Sequence, residues 1–169
     1  VWPSTRIQRC TFHAFEQVRR CTTKKPDLEC GKELYAIAKE LLKVDNADSA
    51  SKWVASYARW CGKWGHFLQE HTLKGGKRQY THERLRKARR GLTELIKEET
   101  LFSFVALAEE RGGAWDSTNN MIEGGVNAQL RAMLRYHRGL SALKRVKAIF
   151  WWCYMHTECP LPPAEILKT

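Results

Sequence analysis

A mainly α-helical fold is what this sequence predicts, on three observations. Apolar residues recur in steps of three and four through most of the chain, one segment carries a stripe of aromatics at that spacing, and strand-like patterning is confined to two short stretches. At 169 residues the chain is long enough for one domain with a real core, and 43% hydrophobic content with 11% aromatics argues against disorder.

In chain order, residues 6–10 read as a short strand feeding a helix over 11–20, where Phe12, Phe15 and Val18 keep helical spacing. Pro26 ends that helix, and a second starts near Asp27 and runs through Leu34, Ile37, Ala38, Leu41 and Leu42. After Asp45-Asn46 a third helix is expected over 48–71, with Trp53, Tyr57, Trp60, Trp64 and Phe67 in alternating steps of four and three. Gly75-Gly76 marks a loop, and 81–99 a basic helix with Leu85, Ala88, Leu92, Leu95 and Ile96 on its apolar side. Residues 101–105 read as a second short strand, Gly112-Gly113 as a turn, and 120–136 and 141–157 as the last two helices. Pro160, Pro162 and Pro163 leave an irregular tail. No internal repeat, low-complexity segment or interdomain linker interrupts this order.

The net charge of +11 points to an anionic partner, nucleic acid above all. That charge is clustered. Residues 73–99 carry nine Lys and Arg against four Glu, and 118–148 carry six against Glu123 alone. The six cysteines are widely spread in a chain too large to need disulfide staples, which fits a reducing cytoplasm. The apolar run 148–155 is far below the roughly 18 residues of a membrane span, so membrane insertion is not expected. The opening at Val1, directly into Trp2-Pro3, reads as the downstream part of something longer.

The densest chemistry lies in Ser117-Thr118-Asn119-Asn120-Met121-Ile122-Glu123-Gly124-Gly125-Val126-Asn127, where one carboxylate sits among amides and two helix-disfavouring glycines. In α-helical phase Asn120, Glu123 and Asn127 share one face, while Ile122, Val126, Leu130 and Met133 line another. A capping box with Asn120 as N-cap and Glu123 as its partner explains two residues without any function. It leaves Gly124 and Gly125, each about 1 kcal/mol worse than alanine inside a helix. Their presence suggests backbone that makes room for something bulky.

Other groupings are less specific. Cys10-x-x-His13 and Cys153-x-x-His156-x-x-Cys159 have zinc-compatible spacings, but the same i, i+3 steps suit helix packing equally. No Gly-rich phosphate loop is present. Arg84, Arg86, Lys87, Arg89 and Arg90 have the composition of a phosphate-binding helix face, with few acids four residues away to neutralise it. Arg131, Arg135, Arg138, Lys144 and Arg145 form a second basic block close in sequence to Glu123. Core packing accounts for most of the tryptophan stripe, with one of Trp53, Trp60 and Trp64 a candidate for stacking on an unpaired base.

These residues resemble a known family. Trp2-Pro3, Gln8-Arg9-Cys10-Thr11-Phe12-His13, the basic Tyr80-Thr81-His82-Glu83-Arg84-Leu85-Arg86-Lys87-Ala88-Arg89, Thr118-Asn119-Asn120-Met121-Ile122-Glu123-Gly124, Arg138-Gly139-Leu140 and Trp151-Trp152-Cys153-Tyr154 are similar, in order, to the C-terminal half of bacterial insertion-sequence DDE transposases of the Mutator-like superfamily. The resemblance implies an RNase H-like (α/β) catalytic core, interrupted after its fifth strand by an all-helical insertion, with three carboxylates holding two Mg²⁺ or Mn²⁺ ions. Glu123 matches the third carboxylate. Cys10 and His13 match a Cys-x-x-His signature that supports the site, as would Asn119, Asn120 and Asn127. By this likeness, residues 1–24 end the core, 25–115 are the insertion that grips the transposon end, 116–158 are C-terminal core helices, and 159–169 a proline-rich tail. Few or no strands are then expected.

The family's first two aspartates lie upstream of the Cys-x-x-His signature, and Asp27, Asp45, Asp48 and Asp116 are not in motif positions. The resemblance therefore implies a fragment that is inactive alone, since one Glu cannot hold two hard cations. Helices meant to cover a missing sheet should keep exposed apolar faces. The implied partners are duplex DNA at transposon ends, the missing N-terminal half and further copies of the chain, at the bacterial nucleoid. Two other readings stand beside this one. The chain is a non-catalytic helical DNA-binding module with Glu123 as a cap, or a zinc-stabilised interaction domain built on Cys10, His13, Cys153, His156 and Cys159.

Overall fold

The computed structural model describes residues 6–166 and is mainly helical, as the spacing predicts. It divides between Thr118 and Asn119 into two compact units.

In the first unit, helices α1 (Thr11–Thr22), α2 (Glu29–Glu40) and α3 (Ala47–Trp64) are followed by a hairpin of β1 (His71–Lys74) and β2 (Lys77–Tyr80), then α4 (Glu83–Lys97) and α5 (Ser103–Arg111). α1 packs on both α2 and α4, and α2 on α3. Their apolar stripes meet in a core of Val18, Leu34, Ala38, Trp53, Tyr57, Trp60, Ala88 and Leu92. An expected boundary between residues 24 and 25 therefore separates no compact unit, because Phe15 and Val18 of α1 are part of the same core as α2 and α4.

α3 starts where Asn46 and Ser49 cap each other. The Ser49 backbone N–H donates to Asn46 Oδ1 at 2.9 Å and the Asn46 N–H to Ser49 Oγ at 3.1 Å. Inside the unit its aromatics are satisfied as well as buried. Trp53 Nε1 donates to the Ile37 carbonyl at 2.8 Å, Trp60 Nε1 to the Cys30 carbonyl at 3.0 Å, and the Tyr57 hydroxyl to the Arg89 carbonyl at 2.7 Å. These bonds tie α3 to α2 and α4 at fixed register.

Four expectations are corrected. The third helix stops at Trp64 rather than residue 71, since the two-residue turn Gly75-Gly76, with φ of 57° and 75°, folds the following segment into a hairpin instead. Residues 6–10 form no strand. They are held by single bonds, Arg9 N–H to the Thr100 carbonyl at 2.8 Å among them, with no ladder alongside. Residues 101–105 are not a strand either: α5 begins at Ser103, its Phe104 N–H capped at 3.0 Å by Gln8 Oε1 from the far end of the chain. The proline tail contains a short helix, α8 (Pro163–Ile166), because the first helical turn needs no N–H from proline.

The second unit holds a π-helical turn (Met121–Val126), α6 (Asn127–Tyr136), α7 (Ala142–Met155) and α8. The Ser141 hydroxyl caps α7. No described residue of this unit is buried, and Met121, Ile122, Leu143 and Phe150 stand exposed.

Candidate functional site

Glu123 lies on the π-helical turn that leads directly into α6. Its backbone N–H donates to the Asn119 carbonyl at 2.8 Å, and Asn119 Nδ2 donates to its Oε1 at 2.8 Å. Asn120 has helical torsions and makes no capping bond, so the expected capping box between Asn120 and Glu123 is not formed. A π-turn closes on the fifth residue and is wider than an α-turn, which brings residues four apart together and separates those three apart. The same widening upsets the α-helical phase that was to align Asn120, Glu123 and Asn127. Asn119 thus becomes the partner of the carboxylate, and its own Oδ1 is buried with no hydrogen-bond partner.

Neither Gly124 nor Gly125 has positive φ, and a Cβ on either would meet nothing within 4 Å. Torsion does not demand glycine here, nor does packing among the described residues. What glycine supplies is bare backbone beside Glu123.

A hard divalent cation takes about six oxygen ligands. Glu123 and the orphaned Asn119 oxygen are a share of such a shell at most, and among the described residues no three His, Cys, Asp or Glu side chains converge on a metal position. The residues present do not by themselves fit a two-metal site. No zinc shell is assembled either. Cys10 is the half-buried residue preceding α1 and His13 is exposed, while in the second unit His156 Nδ1 donates to the Trp152 carbonyl at 2.8 Å and its ring stacks on Trp152. All six cysteines are free thiols. Burial pushes the Cys30 thiol up to about 12, helped by nearby Glu33, so it is an inert core thiol.

The basic face of α4 is only partly available. Arg84 donates to the Arg20 carbonyl, and Arg86 donates to the Leu68 carbonyl at 2.9 Å while lying over the Tyr80 ring. These two hold the fold together, a role that composition does not distinguish from phosphate binding. Lys87 and Arg90 are exposed, Arg90 within 3.9 Å of Glu94, and with Arg86, Arg89 and Lys97 they line a recess of about 480 Å³ that also holds Glu83 and Glu94 and extends to Tyr80 at the hairpin foot. Lys74, Lys77 and Arg78 of the hairpin are further exposed cations, which no sequence periodicity marks because their strands bury neither face.

In the second unit Arg131, Arg135, Arg138 and Arg145 come together around a recess of about 590 Å³. Arg145 also fixes the α6–α7 turn, donating from Nε to the Leu140 carbonyl at 3.0 Å and from Nη2 to the Arg138 carbonyl at 3.1 Å. Lys144 is exposed outside this recess. Trp53 and Trp60 are buried in the core and are not presented to a base, which overturns that expectation for both. Trp64 is half-buried, and its Nε1 donates to Glu33 Oε2 at 2.8 Å. Trp2 and Pro3 lie outside the described residues.

Among the described residues, no helix is long and apolar enough to cross a membrane. No family model, curated protein or solved structure matches this chain.

Proposed function

We propose that the chain is the C-terminal part of a DDE transposase of the Mutator-like kind, whose parent cuts DNA at transposon ends and joins it to a target in the bacterial cytoplasm. The observation that carries this reading is the Asn119–Glu123 pair, a carboxylate oriented at 2.8 Å beside two glycines that neither torsion nor packing among the described residues requires. The ordered motifs of the sequence give that pair its family setting. The arginine recess of the same unit adds a place for a phosphate backbone.

In this reading Asn119 positions the carboxylate, and Arg131, Arg135 and Arg138 neutralise phosphate charge. The other carboxylates belong to an N-terminal half of the transposase. The exposed Leu143 and Phe150 side chains of α7 then find cover against that half or a second copy.

The test is cleavage and strand transfer with Mn²⁺ on a duplex bearing the terminal repeat that flanks the coding sequence. The chain is mixed with a separately expressed N-terminal half, with and without Glu123→Gln. Activity confined to the mixture, and lowered at least about a hundredfold by the substitution, is expected. A second reading, a non-catalytic DNA-binding module, is favoured by the single carboxylate at the site. It anticipates DNA binding and no cleavage even when the two halves associate.

A further inference from the structure

The hairpin His71–Tyr80 contributes nothing to the core. Only His71 is half-buried, and every other strand residue is exposed. Two strands of four residues with no apolar face are marginal on their own in water. Here the foot holds them. Thr81 N–H donates to the Glu70 carbonyl at 2.9 Å, the His71 and Tyr80 rings meet at 4.2 Å, Arg86 covers Tyr80 at 3.5 Å, and His82 is sandwiched between Glu70 at 3.1 Å and the Phe67 ring at 3.9 Å. The arm therefore has a fixed direction relative to α4.

Cross-strand pairing sorts its side chains onto two faces. The pairs are His71 with Tyr80, Thr72 with Gln79, Leu73 with Arg78, and Lys74 with Lys77. Paired residues share a face and alternate pairs oppose it. His71, Tyr80, Leu73 and Arg78 form the face engaged at the foot, where Arg78 Nη2 lies 3.3 Å from His71 Nδ1. The opposite face is Thr72, Gln79, Lys74 and Lys77. It contains no acid, and among the described residues none of these four side chains has a hydrogen bond or ion pair.

The chemistry of that face matches the edges of base pairs. An amide can bond adenine in two places, a threonine methyl can meet the thymine methyl, and lysines can reach guanine or phosphate. A two-stranded ribbon fits a B-form major groove, about 12 Å wide, and four residues per strand give an arm about 13 Å long. At the foot of the arm lies the α4 recess, where Arg86, Lys87, Arg89, Arg90 and Lys97 outnumber Glu83 and Glu94 and leave a net positive lining for the flanking phosphate backbone.

We infer that this hairpin is a sequence-reading arm, set in the major groove of duplex DNA with Thr72 and Gln79 toward the bases, the tip residues Lys74 and Lys77 on the phosphates at the groove's rim, and α4 holding the neighbouring phosphates. The inference rests on DNA being the substrate, as proposed above.

The test uses the full chain and a fluorescein-labelled duplex of about 30 base pairs, titrated by anisotropy across a range of salt. Lys74→Gln/Lys77→Gln alters only exposed tip residues, and an unchanged circular dichroism melt verifies the fold. The double variant is expected to bind about tenfold more weakly near 0.1 M salt, with a log–log salt slope shallower by about 2. Selection from a randomised duplex pool should give a preferred site for the wild type, and Gln79→Ala should relax one position of it.

Wild-type binding that the double variant retains in full, slope included, overturns the arm while leaving DNA as substrate. Equal, lysine-dependent binding of duplex RNA overturns the major-groove placement, since the A-form major groove is too narrow to be read. No binding by the wild type at any salt overturns the arm together with the reading it rests on.

Discussion

The guanidinium of Arg86 lies 3.5 Å from the centre of the Tyr80 ring while its Nη1 donates to the Leu68 carbonyl at 2.9 Å. One side chain from α4 thereby joins the end of β2 to the turn that precedes β1. Arg86→Ala should destabilise the first unit by about 1–2 kcal/mol, from the lost cation–π contact and the carbonyl left unbonded. Urea melts read the global loss. Hydrogen exchange should show the hairpin amides losing protection ahead of the helices, and uniform loss would mean that Arg86 does not specifically hold the arm.

Trp60 separates packing from hydrogen bonding. It is 2% exposed and donates to the Cys30 carbonyl. Trp60→Ala is expected to lower stability by about 3–5 kcal/mol, and Trp60→Phe by about 1–2 kcal/mol, from the lost indole bond and the smaller ring, since the Cys30 carbonyl keeps its place in the α2 ladder. A phenylalanine variant as unstable as the alanine one would place the whole effect in the indole hydrogen bond.

Gly124 and Gly125 can be tested without strain. Their φ values are negative and the space beyond each Cα is open, so Gly124→Ala and Gly125→Ala should each leave the fold intact and stabilise the helix by up to about 1 kcal/mol. In the two-half strand-transfer assay the same variants should lose activity at least about tenfold, because a methyl intrudes where the proposed substrate approaches. Unimpaired activity in both would remove the glycines from the argument for a site.

Alkali should unfold the first unit by a predictable route. Burial raises the Cys30 thiol to about 12 and the Tyr57 hydroxyl further, so the folded state keeps both protons when the unfolded chain has begun to release them. Their contribution is fully present below the ordinary thiol value near 9 and is lost as pH rises from there toward 12. Glu33 acts in the opposite direction. Hydrogen bonds from Lys63 and Trp64 lower its pKa, so its contribution is present above the ordinary carboxylate value of 4.5 and is lost on acidification through the lowered one. Melting temperature against pH checks both limbs: Cys30→Ala should flatten the alkaline fall, and Glu33→Gln the acid one.

The helices of the first unit were legible because a buried stripe leaves a phase in the sequence, as Trp53, Tyr57 and Trp60 do. The hairpin left none. His71-Thr72-Leu73-Lys74 and Lys77-Arg78-Gln79-Tyr80 bury neither face, so no alternation of apolar and polar residues marks them, and the Gly75-Gly76 turn alone carried the signal. Residues 101–105 were ambiguous for another reason: a short apolar run has no phase to separate strand from helix, and Gln8 settles the matter by capping Phe104 from the other end of the chain. At the carboxylate the residue type was legible but the partner was not. An α-helical register assigns Asn120 to Glu123, and one wider turn hands that place to Asn119.

The outer face of the hairpin also bears on how such a chain changes over generations. Among the described residues the side chains of Thr72, Lys74, Lys77 and Gln79 make no hydrogen bond or ion pair, whereas the residues that aim the arm, Tyr80, His82 and Arg86, are committed to its foot. Substitutions at the outer positions therefore escape the stability threshold that constrains Tyr57 or Trp60. On the DNA-reading role inferred for the arm, a lineage can drift to a new DNA address through those few positions, with the helices beneath unchanged.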